Sequence, residues 1–171
     1  LVERNDALAG IAADLGAWLS EQDLAATGPD YDDACFVLGA LYAWGQSAEA
    51  DVSWRQKVET ELGANPADLA RDAEPPGAFF SPWAMQVVLI QTVLGQERLA
   101  AWLNGHDMAA PAVIQDLHSV HHRGIHASRA WGFWAAFQAT GEPHWQAAAQ
   151  AHLHAADALH EQGLGDRHGY S

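Results

Sequence analysis

His126-Ala127-Ser128-Arg129-Ala130-Trp131-Gly132-Phe133-Trp134-Ala135-Ala136-Phe137-Gln138-Ala139-Thr140-Gly141-Glu142-Pro143 reads as one helix, a stop, and the start of another. Trp131, Phe133, Trp134 and Phe137 mark an aromatic helix over 126–139. Gly141 is the residue type that closes a helix C-terminus, and Pro143 suits the first turn of the helix that follows. That second helix is expected over 143–162, ending at Gly163-Leu164-Gly165. Helices joined by so short a turn run antiparallel.

The same style extends upstream. Ser81-Pro82 opens a helix with a capping hydroxyl and a proline at the first helical position. The helix over 82–94 is apolar nearly all round (Trp83, Met85, Val87, Val88, Leu89, Ile90, Val93, Leu94) and is expected at the centre. A short helix over 96–103 carries Leu99, Trp102 and Leu103. Residues 5–20 place Leu8, Ile11, Ala12, Leu15, Trp18 and Leu19 at three- and four-residue spacing, an apolar stripe. A helix over 31–45 is expected to bury Cys35, Leu38, Leu41, Tyr42 and Trp44. The more polar helix over 49–62 belongs on the outside, and Asn65-Pro66 starts a short turn of helix to about Ala70. Residues 72–77 and 104–124 read as irregular, the latter broken by Gly105, Pro111 and Gly124. No stretch shows sustained β-type alternation. The expected fold is all-α, a single domain of antiparallel helical hairpins over 1–171.

Composition limits the partners. The chain has 171 residues, a formal charge of −14 and eight Lys plus Arg, with Lys57 the sole lysine. Such a surface repels phosphate backbones and anionic headgroups, so neither nucleic acid nor membrane is an expected partner. No apolar run reaches the roughly 18–20 residues that span a bilayer. No signal peptide is visible, and a start at Leu1 is expected of a trimmed or excised piece. Cys35 is the lone cysteine, which points to a reducing, cytoplasmic setting.

All ten histidines lie at or after position 106. The densest run is His118, His121, His122 and His126, with Arg123 and Arg129 beside them. Imidazoles transfer protons near neutral pH and bind metals. His118, His122 and His126 repeat every fourth residue, but Gly124 interrupts that stretch. His121 and His122 with a third histidine would resemble an open three-nitrogen zinc site. The alternatives are helix caps and polar holes beneath tryptophans. Arg129 suits a carboxylate or phosphate, or one of the local acids. Trp83 and Trp131 belong to an aromatic group that serves a core or stacks on sugar rings. Asp32 and Asp33, beside Tyr31, are candidate acids for glycosidic chemistry or N-terminal helix caps.

The segment Gly124-Ile125-His126-Ala127-Ser128-Arg129-Ala130-Trp131, with the aromatic helix behind it, resembles the six-hairpin (α/α)-barrel enzymes that act on carbohydrates. More narrowly, it is similar to a bacterial helical-hairpin family with a Gly-x-x-x-Ser-Arg-Ala-Trp signature and no assigned reaction. Phe79-Phe80-Ser81-Pro82 and Ala100-Ala101-Trp102-Leu103 match two further stretches of that family. Departures stand at Gln86 and Val88, where that family has acids, at Arg123, where it has an acid before the glycine, and at Tyr31-Asp32-Asp33, where it has a polar His-Ser-Asn stretch. The resemblance implies an (α/α)-toroid or, in a chain about half that size, a partial toroid.

The expected function is the handling of a small molecule or carbohydrate, with hydrolase or isomerase chemistry in a His/Arg/Trp-lined cleft. His122, Asp32 and Asp33 are the candidate catalytic residues. Tyr31, Trp83, His121, His126, Arg129 and Trp131 are the candidate substrate-binding residues, for a sugar or sugar acid. No cofactor is expected; zinc is the alternative. A non-catalytic helical subunit, homo-oligomeric or otherwise, is the competing reading, and the sequence leaves open whether the chain is an enzyme.

Overall fold

Ser81 starts the central helix by the predicted local chemistry. Its backbone is extended, its Oγ accepts the Ala84 N–H at 3.2 Å, and Pro82 follows at the first helical position. The computed structural model describes residues 2–22, 34–46, 53–63, 66, 80–106, 108–114 and 120–164. Among these it forms helices and no strand: α1 (Val2–Glu21), α2 (Ala34–Gly45), α3 (Ser53–Leu62), α4 (Pro82–Leu94), α5 (Gln96–Gly105), α6 (Val120–Thr140) and α7 (Pro143–Leu164). The all-α class therefore holds. Among the described residues no helix is long and apolar enough to cross a membrane.

The central place of α4 follows from its all-round apolarity. It packs against α2, α3, α5 and α6. Trp83, Ala84, Val87 and Ile90 of α4 join Cys35, Leu38 and Leu41 of α2, Val58 and Leu62 of α3, and Leu99 and Leu103 of α5 in one buried core. Gln86 is buried among them, and its Nε2 donates to the Leu62 carbonyl at the end of α3 at 3.5 Å. At Gly95, with φ of 87°, one helix ends and the next begins. Only glycine takes that conformation without strain.

α4 and α6 approach at backbone distance. Ser128 Oγ accepts the Ser81 N–H at 2.8 Å and donates to the Ile125 carbonyl at 3.0 Å. One helical turn later, a Cβ on Gly132 would lie 2.8 Å from Ala84 Cα and Cβ. Glycine is what lets the two backbones meet.

One expectation changes. Residues 104–124 were expected to be irregular throughout, yet α6 begins at Val120 and runs unbroken through Gly124. A helical glycine costs about 1 kcal/mol, and the burial of Ile125, Ser128 and Ala130 outweighs it. The apolar α1 stripe read from the sequence is not buried against the core. Leu8, Ile11, Leu15 and Trp18 are 52–63% exposed. α1 docks through Gly16, where any Cβ would enter the Trp44 indole of α2. The turn expected over 65–70 and the loop over 72–77 lie outside the described residues, Pro66 apart.

Gly132→Ala should destabilise the protein by about 1–3 kcal/mol through overpacking. Gly10→Ala, where nothing lies within 4 Å of an added Cβ, should stabilise it by up to about 1 kcal/mol. Urea unfolding of both variants checks this; equal effects of the two would contradict the close α4–α6 approach.

Candidate functional site

The turn between α6 and α7 consists of Gly141 and Glu142 alone. Gly141 has φ of 71° and returns its N–H to the Phe137 carbonyl at 2.8 Å. Glu142 accepts the Trp145 N–H at 3.1 Å, and Thr140 Oγ1 receives the Glu142 N–H at 3.2 Å. So short a reversal lays α7 back along α6. Among the described residues the buried positions of α6 are Ile125, His126, Ser128, Arg129, Ala130, Gly132, Phe133, Ala135 and Ala136; those of α7 are Trp145, Ala149 and His152. Both sets recur at three- and four-residue spacing, so each helix turns one stripe inward.

The seam between these stripes brings two imidazoles together. His126 Nδ1 and His152 Nδ1 lie 2.9 Å apart, with ring centroids at 5.0 Å. Two such nitrogens cannot both carry hydrogen; one donates and the other accepts. His152 Nε2 faces the Pro111 carbonyl at 3.3 Å, and a carbonyl only accepts. The hydrogen of neutral His152 therefore belongs on Nε2, and its Nδ1 accepts from His126 Nδ1–H. This assignment follows from the bonding pattern. It leaves the lone pair of His126 on Nε2.

The surroundings keep His152 uncharged. Burial lowers the His152 pKa from 6.5 to about 4; the bond to Pro111 pulls upward, and the nearby Arg129 and His126 push it down again. Arg129 is itself buried, and it and His126 make further contacts of their own. Beneath the pair, Phe133 lies 5.2 Å from the His152 ring and stacks on Trp145 at 5.8 Å. Trp83 packs on Phe133 at 5.2 Å and on Trp145 at 5.9 Å. The segment 108–114 crosses the top: Trp83 Nε1–H donates to Met108 Sδ at 3.0 Å, and Pro111 holds His152.

The candidates named from sequence thus separate. His126 and Arg129 come together on one face of α6. Trp83 was expected to line a cleft, but it is fully buried in the aromatic core and can only support that face from below. Trp131 was expected on the same wall as Arg129. Two residues further on is about 200° around the helix, and Trp131 is 59% exposed on the other side. His121 and His122 sit in the first turn of α6, but their side chains, and Tyr31, Asp32 and Asp33 entirely, lie outside the described residues. Ser128 is a packing residue, committed to Ser81 and Ile125.

His152 was missed by sequence reasoning, because its next helical neighbour is Ala156 and it makes no local motif. The signal was the hairpin itself. The short turn lays α7 back along α6, and His152, on the inward stripe of α7, meets the stripe that carries His126.

In the unfolded chain His152 takes up its proton near pH 6.5; folded, it does so only near pH 4. Its contribution is complete above about pH 6.5 and is lost as the pH falls toward 4, at a cost of about 3 kcal/mol. In chelator-containing buffer, denaturant unfolding across that range should show this loss, and His152→Gln should flatten that part of the curve. An unchanged slope in the variant would remove His152 from the acid response. Comparison with known proteins returns no family model, no curated protein and no solved structure that matches the chain.

Proposed function

We propose that the chain handles a small molecule, a sugar or sugar acid, and that His126, His152 and Arg129 form the polar end of its site. The observation carrying this reading is the burial of a guanidinium beside an imidazole pair in the α6–α7 seam. Burying such groups costs stability that an aliphatic seam would not. Clusters of this kind concentrate at functional sites.

Each group has a part to play. The Arg129 fork matches a carboxylate or a pair of hydroxyls. His126, polarised through His152, offers Nε2 as a proton acceptor, toward water in a hydrolase or toward a substrate C–H or O–H in an isomerase. The first turn of α6, with His121 and His122, leads into this cluster, and His122, Asp32 and Asp33 remain its candidate proton carriers. The acidic balance disfavours nucleic acid and membrane surfaces, and the buried Cys35 thiol suits a reducing cytoplasm.

Thermal unfolding with glucuronate, gluconate and glucose tests the proposal. A ligand at a hundredfold excess over its Kd should raise the midpoint by on the order of 5–10 °C. Arg129→Lys, which keeps the charge and loses the fork, should reduce the shift. No response to any of the three sugars by the folded wild type would discard the reading.

One observation favours the competing reading, a helical subunit that assembles with others. The exposed Leu8, Ile11, Leu15 and Trp18 repeat at intervals of three, four and three, as in the seam of paired helices. Sedimentation of the wild type and of Leu15→Asp separates the cases; a wild type that stays monomeric at high concentration ends the homo-oligomer version.

A further inference from the structure

We propose that His126 and His152 form a binding site for one transition-metal ion, with zinc as the fitting member of the class and the two Nδ1 atoms as ligands. The inference uses the cluster assigned above but rests on its geometry, and a metal can bind there whether or not a sugar does.

Distance carries the first step. Imidazole nitrogens bind Zn2+ at about 2.0–2.1 Å, so two on one ion stand about 2.9 Å apart at a right angle and about 3.4 Å apart at the tetrahedral angle. The observed separation is 2.9 Å. An opening of about half an ångström takes the hydrogen-bonded pair to the tetrahedral value. Exchange of the shared hydrogen for the ion needs, besides that opening and a turn of both rings toward the ion, a tautomer change: His126 moves its hydrogen from Nδ1 to Nε2, which then no longer accepts a proton, both rings stay neutral, and no proton is released.

The second step is the outer partner. A metal-bound histidine commonly directs its other ring N–H to a carboxylate or a backbone carbonyl, which fixes the ring. His152 has this arrangement, with Nε2 on the Pro111 carbonyl at 3.3 Å and Nδ1 aimed at the partner imidazole.

Donor type decides which ion fits. Arg129 places a positive charge near His152 that opposes every cation alike, and nitrogen is the donor type on offer. A hard, oxygen-seeking ion such as Mg2+ gains nothing here, whereas Zn2+ or Co2+ gains from imidazole donation. The Arg129 charge also favours an anion, hydroxide or carboxylate, in an open coordination position. Among the described residues no three metal-binding side chains converge, so the proposed site has two protein ligands, and water or an anion would complete it.

The test is titration of the chelator-stripped full chain with Co2+, read by its visible absorption, followed by displacement with Zn2+. The expected result is one ion per chain. His126→Gln and His152→Gln should each weaken binding by at least about 100-fold, since loss of a mere outer partner already costs 10–100-fold. His144→Ala and His154→Ala, at exposed positions, should change nothing. If the glutamine variants do not fold, imidazole nitrogen NMR of the wild type decides: zinc should shift the His126 and His152 resonances. Binding no tighter in the wild type than in the glutamine variants, or zinc shifts confined to exposed histidines, would overturn the site. A sugar-acid response that persists in chelator would then leave the proposed function standing without the metal.

Discussion

The joint between α4 and α6 constrains everything else in the molecule. Ser128 ties α6 to the Ser81 N–H at the start of α4, and Gly132 admits Ala84 at backbone distance one turn later. With those two contacts made, the rotation of α6 about its axis is fixed. One face then carries Ile125, Ser128 and Gly132 toward α4, and the adjoining face carries His126, Arg129 and Phe133 toward α7 and the segment 108–114. The aromatic triad of Trp83, Phe133 and Trp145 fills the angle between the helices. A slip of one residue in α6 would turn His126 away from His152 and bring Ala127 into its place.

The legible parts of the sequence were those set by local chemistry. Ser81-Pro82 and Thr140-Gly141-Glu142-Pro143 mark helix ends because a hydroxyl, a proline ring and a glycine act on the backbone next to them. The core positions of α2 and α4 were readable for a similar reason, since apolar periodicity shows which face avoids water. What periodicity cannot show is what covers that face. The Leu8–Trp18 stripe was plain in the sequence, yet the contact that docks α1 runs through Gly16 and Trp44. The start of α6 was hidden because Gly124 reads as a break in the sequence; packing at Ile125, Ser128 and Ala130 supports the helix through it.

The candidate site divides along the same line. Composition drew attention to His126 and Arg129 because cations are scarce in this chain and its ten imidazoles are crowded into the C-terminal part. His152 lacked any such local mark; its role depends on the register of a hairpin, which is a relation between two strands of sequence. Trp83 and Trp131 were grouped together as indoles, although helical geometry sends one into the core and the other to the surface. The Gly-x-x-x-Ser-Arg-Ala-Trp stretch is therefore not one functional unit. Ser128 belongs to packing, Arg129 to the polar seam, and Trp131 to the exterior.

The two-residue turn at Gly141 and Glu142 bears on the order in which the molecule assembles. The entropic cost of closing a loop grows with its length, and contacts between near neighbours along the chain form fastest. His126 and His152 are only 26 positions apart. Their seam can zip from the turn without waiting for α1–α3 to find α4, so the polar heart of the protein is placed by its quickest-forming element.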